Sequence, residues 1–265
     1  MAIFGFIGTG NMGGAMALAS ARCISGENLI FSNRTHAKAE AIAAELGGRA
    51  VDNKAVAKEA DFIFLGVKPQ MMEGVFAEIR PVLMARTDRF VLVSMAAGIS
   101  IDRLRDLSGT ECPVIRIMPN TPCAIGEGIV FYTCDPNVTE DEKDTLLAAL
   151  SAAGRLCPVT ENLINPGSCV AGSAPAFTAM FMEALADGAV ACGMPRKDSM
   201  ELAAQMLIGT AKLYLQQGQH PGAMKDAVCS PGGSTIQGVR ALEAGGFRSA
   251  VIEAMIATFN KNNQF

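Results

Sequence analysis

The 265-residue sequence is short of charge: Asp, Glu, Lys and Arg make up 18% of it against 50% hydrophobic residues, which excludes a disordered, solvating chain. It also lacks an excess of cations. With 22 Lys+Arg against 26 Asp+Glu the net charge is −4, so no positive field exists to collect phosphate backbones, and nucleic acid is not expected as a partner. Histidine is limited to His36 and His220, and the eight cysteines are never closer than eleven residues. No C-x-x-C pair can form, and no metal site is expected. The cysteines read as buried, reduced thiols of a cytoplasmic protein. No basic residue precedes Arg22, so the charged n-region of a signal peptide is missing. Residues 162–182 carry no charge, yet they hold Pro166, Pro175, Gly167 and Gly172, and Glu183 and Asp187 follow at once. That pattern reads as a buried helix and not as a membrane span.

What is present divides the chain in two. Up to about residue 160, short apolar runs (3–8, 27–32, 61–67, 89–94 and 113–118) alternate with Ala-, Leu- or Met-rich stretches (11–22, 36–46 and 69–79), the pattern of right-handed βαβ crossovers. Two further strands are expected at 128–133 and 154–158, around a helix from Asp141 to Ala152 that opens on a capping box, Thr139-Glu140-Asp141-Glu142. Beyond 160 the strand signal stops, and helical segments follow at 170–192, 196–217, 222–228, 235–244 and 247–260. Gly193 ends one helix and Pro195 fits the first turn of the next. The predicted fold is α/β: a doubly wound, mostly parallel Rossmann-type sheet over 1–160, followed by an all-helical domain over 161–265.

Gly8-Thr9-Gly10-Asn11-Met12-Gly13 is G-x-G-x-x-G, placed after the strand that ends at Ile7 and opening a helix. Gly8 permits the tight turn, Gly10 admits a pyrophosphate to the backbone, Gly13 allows close helix packing, and the helix start presents free N–H groups to the anion. Units that bind NAD place an acid after the second strand; here that position holds Ser32-Asn33-Arg34. A guanidinium, a hydroxyl and an amide suit a 2′-phosphate, so NADPH is favoured, with NADH possible. The plain alternative for Arg34 is a solvated loop charge. Ligands in such sheets lie beyond the carboxyl ends of the strands. Val67-Lys68-Pro69 and Met95-Ala96-Ala97 occupy two such ends, although Lys68 could equally be an exposed charge. The stiff Arg116-Ile117-Met118-Pro119-Asn120-Thr121-Pro122 segment occupies a third.

Ser230-Pro231-Gly232-Gly233-Ser234-Thr235 precedes a helix and forms a second anion-binding candidate, the alternative being a plain N-cap at Ser234. With FIGTGNMG (6–13), VKPQ (67–70), VSMAAG (93–98), RIMPNTP (116–122), GSAPAF (172–177), SPGGSTIQGVRALE (230–243) and GGFRSAV (245–251) in this order, the chain resembles pyrroline-5-carboxylate reductase along nearly its whole length. The resemblance implies NAD(P)H-dependent reduction of 1-pyrroline-5-carboxylate to L-proline, and a helical domain that interlocks with its copy in a homo-oligomer. It places the hydroxyl of Thr235 at the substrate ring nitrogen, and Ser230, Gly232, Gly233 and Ser234 around the carboxylate. Glu161 falls near the same substrate. On the cofactor side it adds Asn53 to Ser32, Arg34, Val67, Lys68 and Met95 to Ala97. Ala174 stands where the family commonly has Gly, and Ala227 and Cys229 stand where polar residues are common.

Two other functions compete. A 3-hydroxyacid dehydrogenase needs a base for the hydroxyl proton, commonly a Lys on the interdomain helix. No Lys, Arg or His lies between Arg155 and Arg196, whereas hydride addition to a protonated imine needs no such base. A regulator that binds NADPH without turnover would not need an ordered segment at 230–235. The apolar helices at 170–192 and 196–217 exceed what about 100 residues can hide alone, and this also points to a helical homodimer.

Overall fold

The computed structural model describes residues 1–262. The apolar runs form one eight-stranded sheet: β1 (Phe4–Ile7), β2 (Leu29–Ser32), β3 (Arg49–Ala50), β4 (Phe62–Leu65), β5 (Val91–Ser94), β6 (Val114–Pro119), β7 (Gly128–Cys134) and β8 (Gly154–Pro158). Their order is β3-β2-β1-β4-β5-β6-β7-β8. Every pair is parallel except β6–β7. The winding direction reverses between β1 and β4, so a crevice opens at the carboxyl ends of those two strands. The helices of this part are α1 (Asn11–Ser20), α2 (His36–Leu46), α3 (Asn53–Glu59), α4 (Met72–Ala85), α5 (Ile101–Ser108) and α6 (Glu140–Leu150).

Helices cover both faces of the sheet, so its strands are apolar on both sides. Phe4, Phe6, Phe62, Phe64, Val91 and Val93 enter one core, while Ile7, Ile63, Leu65 and Leu92 enter the other. Register turns the first set into a ladder of rings. Phe4 lies opposite Phe62 and Phe6 opposite both Phe64 and Phe31, with centroids 4.9, 4.4 and 5.6 Å apart. Offset aromatic pairs of this kind add about 0.5–1.5 kcal/mol each beyond their burial. The expectation of buried cysteines holds for Cys112, Cys123 and Cys169 but not for Cys23 and Cys192, which are exposed; the thiols of Cys112 and Cys123 lie within the sheet's cores. Burial also pushes their thiols up, as it does that of Cys134, and thereby suppresses the reactive thiolate.

After Pro158 the described residues contain no further strand. α7 (Glu161–Ser168) leads through a π-helical turn (Cys169–Ser173) to α8 (Ala174–Ala191), α9 (Arg196–Gln217), α10 (Pro221–Ala227), α11 (Ser234–Ala244) and α12 (Phe247–Asn262). This is the change of class that placed a boundary at 160. The compact units divide later: one is Met1–Gly172 together with Phe259–Asn262, and the other is Ser173–Thr258.

Several expectations are corrected. The helix after Lys68 begins as a 3-10 turn (Pro69–Met71) and runs past Ile79 to Ala85, with Pro81 on its exposed side. The predicted elements did not include β3, α3 or α5. Pro195 caps α9 from outside its first turn. The reading of 162–182 as a buried helix does not hold for α8, in which only Ala186 is buried. The helical stretch Glu161–Ala191 is long and apolar enough by length and composition to cross a membrane, at mean hydropathy 1.3, and only 17% of its most apolar part is covered. Apolar composition marks a surface that requires cover; it does not state that the same chain supplies it.

The β1–α1 junction depends on backbone contact. A Cβ on Gly13 would stand 2.0 Å from the Gly8 carbonyl oxygen, whereas one on Gly10 would meet nothing within 4 Å. Gly13→Ala is therefore expected to destabilise the protein by about 2–3 kcal/mol, a Tm loss of roughly 5–10 °C. Gly10→Ala meets no clash and should cost only the weaker N-cap preference of Ala, about 0.5–1 kcal/mol, so its Tm loss stays well below that of Gly13→Ala, and thermal unfolding of the two variants checks the pair.

Candidate active site

In the first unit, Gly8 follows β1 at φ 95°, a left-handed conformation that a side chain disfavours. Its N–H donates to the Ser32 carbonyl (2.8 Å), and the Gly66 N–H donates to the Ile7 carbonyl (2.8 Å). The turn is thus tied to both neighbouring strand ends. Gly10 is the N-cap of α1, with no side-chain cap and no acid in the first turn. The N–H groups of Asn11, Met12 and Gly13 consequently begin a helix whose positive end is unopposed.

Beside this turn lies a cleft of about 770 Å³. It gathers most of the predicted cofactor residues: Ile7, Gly8, Gly10, Ser32, Asn33, Arg34, Asn53, Val67 and Lys68. Side chains lock its floor. Ser32 Oγ donates to Asn53 Oδ1 (2.6 Å), and Asn53 Nδ2 donates to Glu78 Oε2 (2.7 Å). Asn33 Nδ2 donates to Thr9 Oγ1 (2.8 Å), while Asn33 Oδ1 accepts from the Thr35 N–H (3.1 Å). Arg34 remains exposed at the rim. His36 and Lys38 join it from the start of α2, so three basic side chains border this end. The sequence reading used Arg34 alone; His36 and Lys38 follow within four positions, and that local cluster was the available signal. Glu78 was beyond its reach, because only folding brings α4 to Asn53.

The remaining predicted cofactor residues lie elsewhere. Thr9, Asn11, Met12 and Gly13 form the turn itself. Met95 and Ala96 are buried in the cores. Pro69 and Ala97 line a second, smaller cleft of about 350 Å³ with Glu73 and Arg103, whose side chains pair at 2.6 Å. Glu161, at the start of α7, accepts through Oε1 from Arg116 (2.6 Å) and from the Ile101 N–H (2.9 Å).

In the second unit, the Gly233 N–H donates to the Ser230 carbonyl (3.0 Å) and Gly232 sits at φ 72°, so the segment is a closed turn. Gly233, not Ser234, is the N-cap of α11, with no side-chain cap and no acid in the first turn. This removes the plain N-cap reading of Ser234. Ser230, Ser234 and Thr235 are exposed, and the helix start leaves their hydroxyls and N–H groups open to a small anion.

The fit to a dinucleotide phosphate rests on Gly10, where any Cβ would fill the open approach to the α1 N-terminus, and on the basic rim beside it. Comparisons with known proteins agree. Residues 161–265 match the family model described as pyrroline-5-carboxylate reductase dimerisation, and residues 3–98 match that described as NADP oxidoreductase coenzyme F420-dependent. The pyrroline-5-carboxylate reductase of Escherichia coli strain K12 is 41% identical over 98% of this chain and 97% of its own. That of Methanosarcina acetivorans is 36% identical over 98% and 96%. A crystal structure of Plasmodium falciparum pyrroline carboxylate reductase with NADP bound superposes with TM-score 0.87 at 29% identity, covering 98% of this chain and 97% of that one. The chain belongs to the pyrroline-5-carboxylate reductase family.

Proposed function

We infer that this protein reduces 1-pyrroline-5-carboxylate to L-proline with NADPH, the last step of proline biosynthesis, in the cytoplasm. The observation that carries the reading is that two helices open on a glycine N-cap with no side-chain cap and no acid in the first turn, α1 at Gly10 in the βαβ unit and α11 at Gly233 in the helical unit. Each offers backbone N–H groups to a different anion: the cofactor pyrophosphate and the substrate carboxylate.

When bound, NADPH supplies the hydride. Asn11 to Gly13 orient its pyrophosphate, and Ser32, Asn33, Arg34 and Asn53 hold the phosphorylated ribose. Val67, Lys68 and Pro69 flank its remainder beyond the end of β4, and the backbone of Met95 to Ala97, whose first two side chains point into the cores, borders it beyond the end of β5. In the helical unit Ser230, Gly232, Gly233 and Ser234 fix the substrate carboxylate. The protonated C=N carbon is already electrophilic, so the protein's task is orientation. Thr235 Oγ1 donates to the ring nitrogen as it becomes an amine. The direct test is loss of NADPH absorbance on addition of pyrroline-5-carboxylate, compared with NADH; absence of turnover with both would end the reading.

The apolar helices are covered by a second copy of the chain. On α8, α9 and α12, Met180, Leu202, Ile208, Leu215 and Ile252 are each between 48% and 69% exposed in the single chain, more than an isolated soluble unit leaves uncovered. Light scattering should give a multiple of the 27.7 kDa chain, and a mass equal to one chain would contradict this.

Two substitutions test the assignments. Arg34→Ala should raise KM for NADPH by about tenfold or more, the loss of one charged hydrogen bond, with little change for NADH. Equal effects on both cofactors would remove Arg34 from 2′-phosphate recognition. Thr235→Val should lower kcat/KM by one to two decades, about 1.5–3 kcal/mol of lost stabilisation, and steady-state kinetics at fixed NADPH measures it.

A further inference from the structure

Arg116 is a cation set into the sheet. Its side chain is 7% exposed, on β6 directly beside Ser94, the last residue of β5. A buried guanidinium requires a counter-charge and acceptors. Glu161 provides both, since a single oxygen, Oε1, accepts from Arg116 and from the Ile101 N–H. Ile101 is the first residue of α5, so its N–H is one of the groups that a helix start leaves unsatisfied. Glu161 itself lies in the first turn of α7. Its carboxylate therefore sits at two positive helix ends and against a buried cation, an arrangement that holds it firmly.

The segment held in this way is the link between β5 and α5, Met95 to Ser100. Winding reverses between β1 and β4, with Arg34 on the β2 side, so a dinucleotide crossing the reversal puts its adenosine half over β2 and its nicotinamide half over β4 and β5. We propose that Glu161, paired with Arg116, is a positioning residue for the nicotinamide-side loop Met95–Ser100, acting through the Ile101 N–H and not through contact with the substrate. This rests on the function proposed above. It departs from the sequence-based placement of Glu161 at the substrate, because the partners of its bonded oxygen are Arg116 within β6 and the first N–H of α5.

The test is calorimetric titration of the full-length protein with NADPH and, separately, with 2′-phosphoadenosine diphosphoribose, which lacks the nicotinamide. Glu161→Ala is expected to weaken NADPH about tenfold, the worth of one charged hydrogen bond, and to leave the truncated ligand unchanged. Glu161→Gln keeps an acceptor for the Ile101 N–H without neutralising Arg116, and should fall between Glu161→Ala and wild type; it also serves if the alanine variant folds poorly. Equal weakening of both ligands would mark a general structural role and overturn the proposal. So would unchanged NADPH binding combined with a raised KM for the imine, which would return Glu161 to the substrate. Wild-type protein that binds NADPH without reducing the imine would remove the proposed function, and the titrations would still decide the role of Glu161.

Discussion

Three stretches of backbone meet at the Gly8 carbonyl oxygen, and no side chain fits among them. A Cβ on Gly13 would reach that oxygen at 2.0 Å and one on Gly66 at 2.5 Å. The turn after β1, the first turn of α1 and the end of β4 are consequently packed backbone to backbone. This contact fixes where α1 begins, and therefore where its unsatisfied N–H groups emerge, at the point where the sheet reverses. The cleft with Ser32, Asn53 and Arg34 is positioned by the same junction, since the Gly8 N–H is bonded to Ser32. Loosening it displaces the anion site and the β2 end together.

The start of α6 and those of α1 and α11 stand at opposite extremes. α6 opens on a completed capping box, in which Thr139 accepts from the Glu142 N–H and Glu142 accepts from the Thr139 N–H, and Glu140 and Asp141 add further acid. Its dipole is neutralised from within. α1 and α11 lack both devices and start on glycine. α2 and α8 also start without a side-chain cap or an acid, on Thr35 and Ser173; what sets α1 and α11 apart is the glycine N-cap, which leaves the approach to the helix end clear of a side chain, and both belong to the motifs that carried the family resemblance.

Much of this was legible in the sequence, for definite reasons. Strands buried on both faces read as continuous apolar runs, so β1, β4 and β5 stood out. G-x-G-x-x-G and the glycine-serine-threonine segment announce backbone chemistry through residues that have little other use. β3 escaped because two residues carry no period, and α3 because seven residues after Asp52 hold too few apolar positions. α5 did show Ile101, Leu104 and Leu107 at helical spacing behind a Ser100 cap, but charge dominates the segment. The Arg116–Glu161 pair was invisible for another reason. Its members are 45 positions apart, and nothing local to either chooses the other.

The helical unit shows most plainly where sequence reasoning about burial stops. The sequence marks 162–182 as a buried helix and points to a second copy as cover for the excess apolar surface of α8 and α9, but composition does not apportion that cover between the chain and its copy. Within the unit, α8 packs beside α9 and Phe181 meets Phe247 at 5.6 Å, yet Met180, Leu202 and Leu215 remain open to solvent. A membrane could in principle cover a stretch as apolar as Glu161–Ala191. The same helix, however, carries Glu183 and Asp187, and Arg196 pairs with Asp187 across the α8–α9 turn, which would place charges inside the span at several kcal/mol each. A second helical surface with the same mixture of small, apolar and edge-charged residues demands no such desolvation. Residues 161–265 match a model described as dimerisation, which makes a copy of this chain the cover that both the energetics and the family favour.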